Sequence, residues 1–132
     1  MKNIIHAKGS RKQAVARAVL YPEGKGNVII NNQRIEQYGN DVSRLRISEP
    51  LVLAGAKAKN VDLDITVNGG GMNGQADAIR LAIARALVQY DSKLKKDFTE
   101  YDRLLLVADV RLKEVCKPND SKARAKRQKS YR

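Results

Sequence analysis

Between Val61 and Gln89 one strand, one glycine turn and one helix follow each other without a break, and this order constrains the fold more than anything else in the chain. Val61, Leu63, Ile65 and Val67 alternate with Asp62, Asp64, Thr66 and Asn68. Successive side chains of a strand face opposite ways, so this strand has one apolar and one polar face. Gly69-Gly70-Gly71-Met72-Asn73-Gly74 follows. Over residues 75–89 the apolar positions then recur at helical spacing: Ala76, Ile79, Ile83, Ala86, Leu87 and, just beyond, Tyr90. Leu81, Ala84 and Val88 widen the apolar side, which predicts a helix lying across a sheet.

Other elements are read around this unit. Residues 3–8 suit a short first strand. Residues 14–21 alternate as a strand that puts Ala14, Ala16, Ala18 and Leu20 on one face and Val15, Arg17 and Val19 on the other. The alanine face leaves room for close packing. Pro22-Glu23-Gly24-Lys25-Gly26-Asn27 reads as a turn, and Val28–Asn31 as a strand, which predicts a hairpin with Lys25 near its tip. Asp41 suits the N-cap of a short helix ending near Ser48, and Pro50 to Gly55 suits a second. A charged helix is expected over 92–101, with Leu94 and Phe98 inward. The continuous run Leu104–Ala108 predicts a buried strand. The order of elements indicates an α+β or open α/β domain.

A chain of 132 residues suits one domain and is long enough to fold without a disulfide or metal. One cysteine, Cys116, permits no intrachain disulfide, and with the single histidine, His6, it makes no soft-ligand zinc site. No apolar run approaches bilayer length, and the first residues lack the apolar core of a signal peptide. A reduced, cytoplasmic protein is expected.

The net charge is +12, and its distribution is uneven. Residues 1–26 hold six basic residues and one acidic, residues 27–116 thirteen and twelve, residues 117–132 seven and one. A near-neutral body with two basic ends is the footprint of a polyanion partner, usually nucleic acid. An anionic membrane is the rival. The segment 117–132 has only two alanines and one tyrosine as apolar members, so it is expected to be an extended tail, disordered when alone, appended to a globular domain of 1–116.

Gly69-x-Gly71-x-x-Gly74 after a strand and before a helix matches the dinucleotide fingerprint. A helix N-terminus with bare N–H groups does bind phosphate. The acidic partner for a ribose is poorly placed, however: Asp91 sits between two helices and looks like a cap, and the chain is short for such a fold. Three readings of Gly69, Gly70 and Gly71 stand: a tight turn, a nucleotide cradle, and an approach for nucleic-acid phosphate. Asp62 and Asp64 share a strand face and read as solvated rather than as an acid–base pair. His6 and Cys116 have no identifiable catalytic partner. Arg11, Lys12 and Arg17 suit phosphate clamping at the start of a strand. In the tail, Lys117, Lys122, Arg124, Lys126, Arg127, Lys129 and Arg132 are spaced through small and polar residues, which suits threading between phosphates and not membrane insertion. Tyr131 adds one ring able to stack.

Three segments together resemble a known family. Gly9-Ser10-Arg11-Lys12-Gln13-Ala14-Val15-Ala16-Arg17 resembles the G-x-R-K-x-A-x-A-R motif of the protein-nine family of the small ribosomal subunit. Gly69-Gly70-Gly71-x-x-Gly74-Gln75-Ala76-x-Ala78-Ile79-Arg80, continuing through Ile83-Ala84-Arg85-Ala86-Leu87, is similar to its glycine-helix segment. The C-terminus from Lys117-Pro118 to Ser130-Tyr131-Arg132 resembles that family's end in its archaeal and eukaryotic branch. The resemblance implies an α+β sandwich like the second domain of ribosomal protein S-five, with an unusual left-handed βαβ crossover. It implies a non-enzymatic protein without cofactor, metal or small-molecule substrate. The implied partners are small-subunit ribosomal RNA in the head, neighbouring head proteins and, through Lys129, Ser130, Tyr131 and Arg132, the peptidyl-site transfer RNA. Lys129 and Arg132 are the implied phosphate contacts there, and Tyr131 stands where bacterial members carry a basic residue. Arg11, Lys12, Arg17, Lys25, Gly69–Gly71 and the basic residues from Lys117 to Arg127 are the expected RNA contacts of the rest of the chain. A free-standing nucleic-acid binder and a small nucleotide-binding enzyme are the alternatives.

Overall fold

The computed structural model describes residues 3–126, 128 and 130. It is an α+β architecture of one five-stranded sheet and three α-helices. The strands are β1 (Ile5–Arg11), β2 (Ala14–Tyr21), β3 (Val28–Ile30), β4 (Gln33–Arg34) and β5 (Asp62–Asn68); the helices are α1 (Asp41–Ala54), α2 (Met72–Tyr90) and α3 (Leu94–Tyr101). The sheet order is β1-β2-β5-β3-β4. Only β3 and β5 run parallel, with α1 in the connection between them, so this is the βαβ unit of the fold.

The sheet is two-faced because its strands alternate. Ala7 and Gly9 of β1, Ala14, Ala16, Ala18 and Leu20 of β2, and Leu63, Ile65 and Val67 of β5 point to one buried side. Helix α2 lies on that side, chiefly against β1 and β2. The small residues set how closely it approaches: a Cβ added at Gly9 would sit 2.2 Å from the Ala78 carbonyl oxygen and 2.6 Å from the Ala82 nitrogen. Ile79, Ile83 and Leu87 of α2 complete the core with Ile47, Phe98 and Leu105. The other face carries Lys8, Arg17, Asp64 and Thr66 and is exposed.

Several expectations need correction. No β2–β3 hairpin forms. β5 lies between those strands, and the 22–27 turn is fastened to β5 instead, with the backbone N–H groups of Lys25 and Asn27 donating to Asp62 Oδ1 at 2.9 and 3.0 Å. Asp62 is therefore a turn staple rather than a merely solvated carboxylate, and these N–H bonds hold its pKa below the usual value. The true hairpin is β1–β2, closed by Lys12 and Gln13, and a second, β3–β4, turns on Asn31 and Asn32, both at positive φ. The first strand begins and ends later than expected. Residues 41–54 form one helix, with Pro50 inside it and Asn40, not Asp41, as the N-cap whose side chain accepts from the Ser43 N–H. Helix α2 starts three residues early, so Gly74 lies within it. The run 104–108 is not a strand. Arg103–Leu105 is a 3-10 turn started by Asp102, whose side chain accepts from the Leu104 N–H, and of the run only Leu105 is fully buried.

Candidate nucleic-acid interface

Two sequence motifs far apart in the chain meet at one end of the sheet. The β1–β2 turn and the glycine loop are adjacent because Val15 of β2 pairs with Asn68 of β5. Gly69 and Gly70 pass under the turn at φ 79° and 64°. A Cβ at Gly69 would lie 2.5 Å from the Gln13 carbonyl oxygen, and one at Gly70 3.0 Å from Ala14. Glycine is required at both positions for the close approach and for the left-handed backbone. Gly71 differs: its φ is −98° and nothing lies within 4 Å of an added Cβ. It is the N-cap of α2 and supplies no side-chain acceptor, so the first turn of the helix presents its amides without a side-chain cap.

Gln75 anchors this loop. Its amide nitrogen donates to the Gly69 carbonyl at 3.1 Å, and its amide oxygen accepts from the buried Tyr38 hydroxyl at 2.9 Å. Burial pushes the Tyr38 phenol up from its ordinary pKa, so it stays a donor. An open cleft results, lined by Lys12, Gly71, Asn73, Arg111 and Lys113 among others. Lys12 is exposed at φ 53° on the turn, and Arg111 and Lys113 are exposed on the segment that leaves the domain.

The expected contacts of the domain do not share one place. Lys12, Gly70 and Gly71 are brought together in the cleft. Arg17 is exposed at the centre of the open sheet face, level with Lys8 on β1 and Thr66 on β5, while Lys25 is exposed at the opposite end of the sheet from the cleft. Arg11 turns inward. Its Nη1 donates to the Arg111 carbonyl at 3.2 Å, its Nη2 lies 3.5 Å from Asp109 and its Nε 3.8 Å from Asp77, and only 16% of the side chain is exposed. Arg111 and Arg11 hold the Asp109 carboxyl far below the usual carboxylate range. Arg11 thus fastens the outgoing chain, with little of its side chain left open.

Beyond Lys113, Glu114 gathers tail cations. Its two carboxylate oxygens accept from Lys117 Nζ and Arg124 Nε, each at 2.8 Å, and Lys117 also donates to the Ala123 carbonyl at 2.8 Å. These pairs are well exposed and individually weak. Lys122, Lys126 and Ser130 are exposed. Arg127, Lys129, Tyr131 and Arg132 lie outside the described residues.

Sequence reasoning missed Arg111, Lys113 and Gln75. The first two lie in the charge-balanced body, where counting hides them. Gln75 is signalled only by its place directly after the glycines. Asp91 caps the α2–α3 corner, as its place between two helices suggests: it accepts from the Lys93 N–H at 3.0 Å and pairs with Lys57. Among the described residues no cluster of His, Cys, Asp or Glu is arranged to hold a metal, and no helix is long and apolar enough to cross a membrane.

Comparison with known proteins shows what the chain is similar to. A family model described as ribosomal protein S9/S16 matches residues 9–132, which spans the turn, the glycine loop and the tail. Small ribosomal subunit protein uS9 of Thermoplasma acidophilum is 53% identical over 126 residues, covering 94% of this chain and 97% of the relative. The uS9 proteins of Picrophilus torridus and Methanothrix thermoacetophila are 46% and 44% identical, covering 100% and 98% of this chain and the same shares of their own lengths.

Proposed function

The chain belongs to the ribosomal protein S9/S16 family and is a structural, non-enzymatic constituent of the small ribosomal subunit; from this premise we propose how it engages RNA. The domain of residues 1–116 docks on ribosomal RNA of the subunit head through the cleft, with Lys12, Lys113 and the uncapped amides at Gly71 meeting backbone phosphate. Arg17 and Lys8 on the open sheet face and Lys25 at the far turn add further phosphate contacts. The tail of residues 117–132 orders as RNA supplies counter-charge and exchanges the Glu114 pairs for phosphate. Lys122, Arg124, Lys126 and Arg127 line its path, and Lys129, Ser130, Tyr131 and Arg132 reach the peptidyl-site transfer RNA. The protein works in the ribosome of the cytoplasm.

The observation that carries this reading is the meeting, at one end of the sheet, of a turn lysine, a bare helix N-terminus and the basic segment that leads to the tail. Helix amides and flexible cations both favour phosphate. Such contacts position a protein on RNA and carry little base readout.

The test is reconstitution. Small subunits rebuilt with a chain ending at residue 116 are expected to retain the protein on sedimentation but to bind peptidyl-site transfer RNA more weakly than subunits with the full chain. Equal transfer-RNA affinity contradicts the role of the tail. Loss of the shortened chain from the subunits contradicts docking through the domain.

A further inference from the structure

Helix α1 has an apolar stripe that the fold does not use. Its core side is Ser43, Ile47, Pro50 and Ala54. At 3.6 residues per turn, Leu45 and Val52 fall on the opposite side and Val42 on its flank. They are 61%, 71% and 76% exposed, so three large aliphatic side chains line one outward face of a 14-residue helix. The same helix has no dominant apolar direction, because it is apolar on both sides.

The helix that carries this stripe has no excess of positive charge to draw phosphate. Residues 35–56 hold two arginines and three carboxylates, in a chain of net charge +12. Both arginines are engaged within the domain. Arg44 pairs with Asp41 and donates to the Glu36 carbonyl at 2.7 Å, and Arg46 Nη1 lies 3.1 Å from Asp77 on α2. Glu49 faces Arg80 at 2.6 Å. Asp41 stays 90% exposed at the rim even with its partner, and Glu36 is exposed beside the helix N-terminus. The face is therefore aliphatic, with Glu49 in its line tied back to Arg80, and acidic at its edge. That is the complement of an apolar segment flanked by lysine or arginine.

We propose that the outer face of α1, through Val42, Leu45 and Val52, docks a neighbouring basic protein of the small subunit, which presents an apolar helix or strand face flanked by cations. The inference rests on the placement of the chain in that subunit. It does not depend on how RNA sits in the cleft, and requires only that RNA leaves this face open. Apolar anchors of this kind contribute most where they are fully covered, and the acidic rim sets orientation.

Two measurements test it in assembled subunits. Full-length chain carrying a benzophenone amino acid at position 45 or 52 is incorporated into small subunits, which are then irradiated. The expected product is one ribonuclease-resistant adduct with a single subunit protein, mapped to an apolar segment flanked by Lys or Arg. An adduct with RNA, or none, overturns the proposal. In competition with wild-type chain for reconstitution, the L45D/V52D double variant is expected to be under-represented about ten-fold or more, while its melting temperature and its affinity for RNA alone are unchanged. Equal incorporation overturns the proposal. Loss of RNA affinity by the variant would mean that RNA covers this face and overturns it as well. Failure of the RNA reading itself would show separately, as loss of salt-dependent binding by the wild-type chain.

Discussion

The Arg11 guanidinium donates to the backbone carbonyl of Arg111 at 3.2 Å, across one hundred residues of chain. The same group lies 3.5 Å from Asp109. A residue of the first basic motif therefore fixes where the C-terminal segment leaves the domain. Its neighbour Lys12 points to solvent. Adjacent cations in one motif have different physical roles, one structural and one open to a ligand.

This split gives a paired prediction. Arg11→Ala removes a largely covered, charge-assisted hydrogen bond and two ion pairs, and should destabilise the domain by about 1–3 kcal/mol. Hydrogen exchange should rise in residues 109–113. Lys12→Ala should leave stability unchanged and reduce the log–log salt slope of RNA binding by about 0.7–0.9, the value of one phosphate contact. Chemical melts and salt titrations of the two variants separate the roles.

The glycines divide likewise. Gly69→Ala forces a Cβ to 2.5 Å from the Gln13 carbonyl at φ 79°, and should cost about 2 kcal/mol or more. Gly71→Ala meets open space at φ −98°, so its cost is set by the weaker N-cap, about 1 kcal/mol or less. RNA affinity should nevertheless fall for Gly71→Ala, because the added methyl stands over the helix amides. Melting and binding measured on both variants check this.

Acid stability follows from the depressed carboxylates. Asp102 is held low by the Leu104 N–H and by Arg80, and Asp62 by the N–H groups of Asn27 and Lys25. A carboxyl with a folded pKa below its unfolded value adds stability that is fully present above the unfolded value, about 3.9, and is lost as pH falls through the folded one. Stability should thus be level from neutrality to about pH 5 and decline below about pH 4. Asp102→Asn keeps an acceptor for Leu104 but cannot titrate, so its acid decline should be shallower than that of the wild type in urea melts run across pH.

How much of this was legible in the sequence depends on locality. β5 and β2 were readable because each has one face that meets water, and the pattern of period two records it. The seat of α2 on alanine and glycine was legible for the same reason. What failed was non-local or capped. Nothing in residues 14–31 says that β5 will insert between two neighbouring runs, since Asp62 lies more than thirty residues from the turn it staples. The run Leu104–Ala108 looks buried by composition, but Asp102 starts a tight turn there and only Leu105 reaches the core. Pro50 suggested a boundary within a helix that continues through it. At the site, Lys12 and the glycine loop were foreseen as candidates, yet their adjacency was not, nor was the part Arg11 takes in holding the outgoing chain.

The central claim is that the basic ends of a charge-balanced body meet sugar-phosphate strands. It is tested most directly by the salt dependence of binding to small-subunit head RNA, compared between the full chain and a chain ending at residue 116. The domain should stay folded by circular dichroism, and the log–log slope should flatten by about 0.7–0.9 for each tail cation that meets phosphate, several units in all. An identical slope for the two chains would contradict the account.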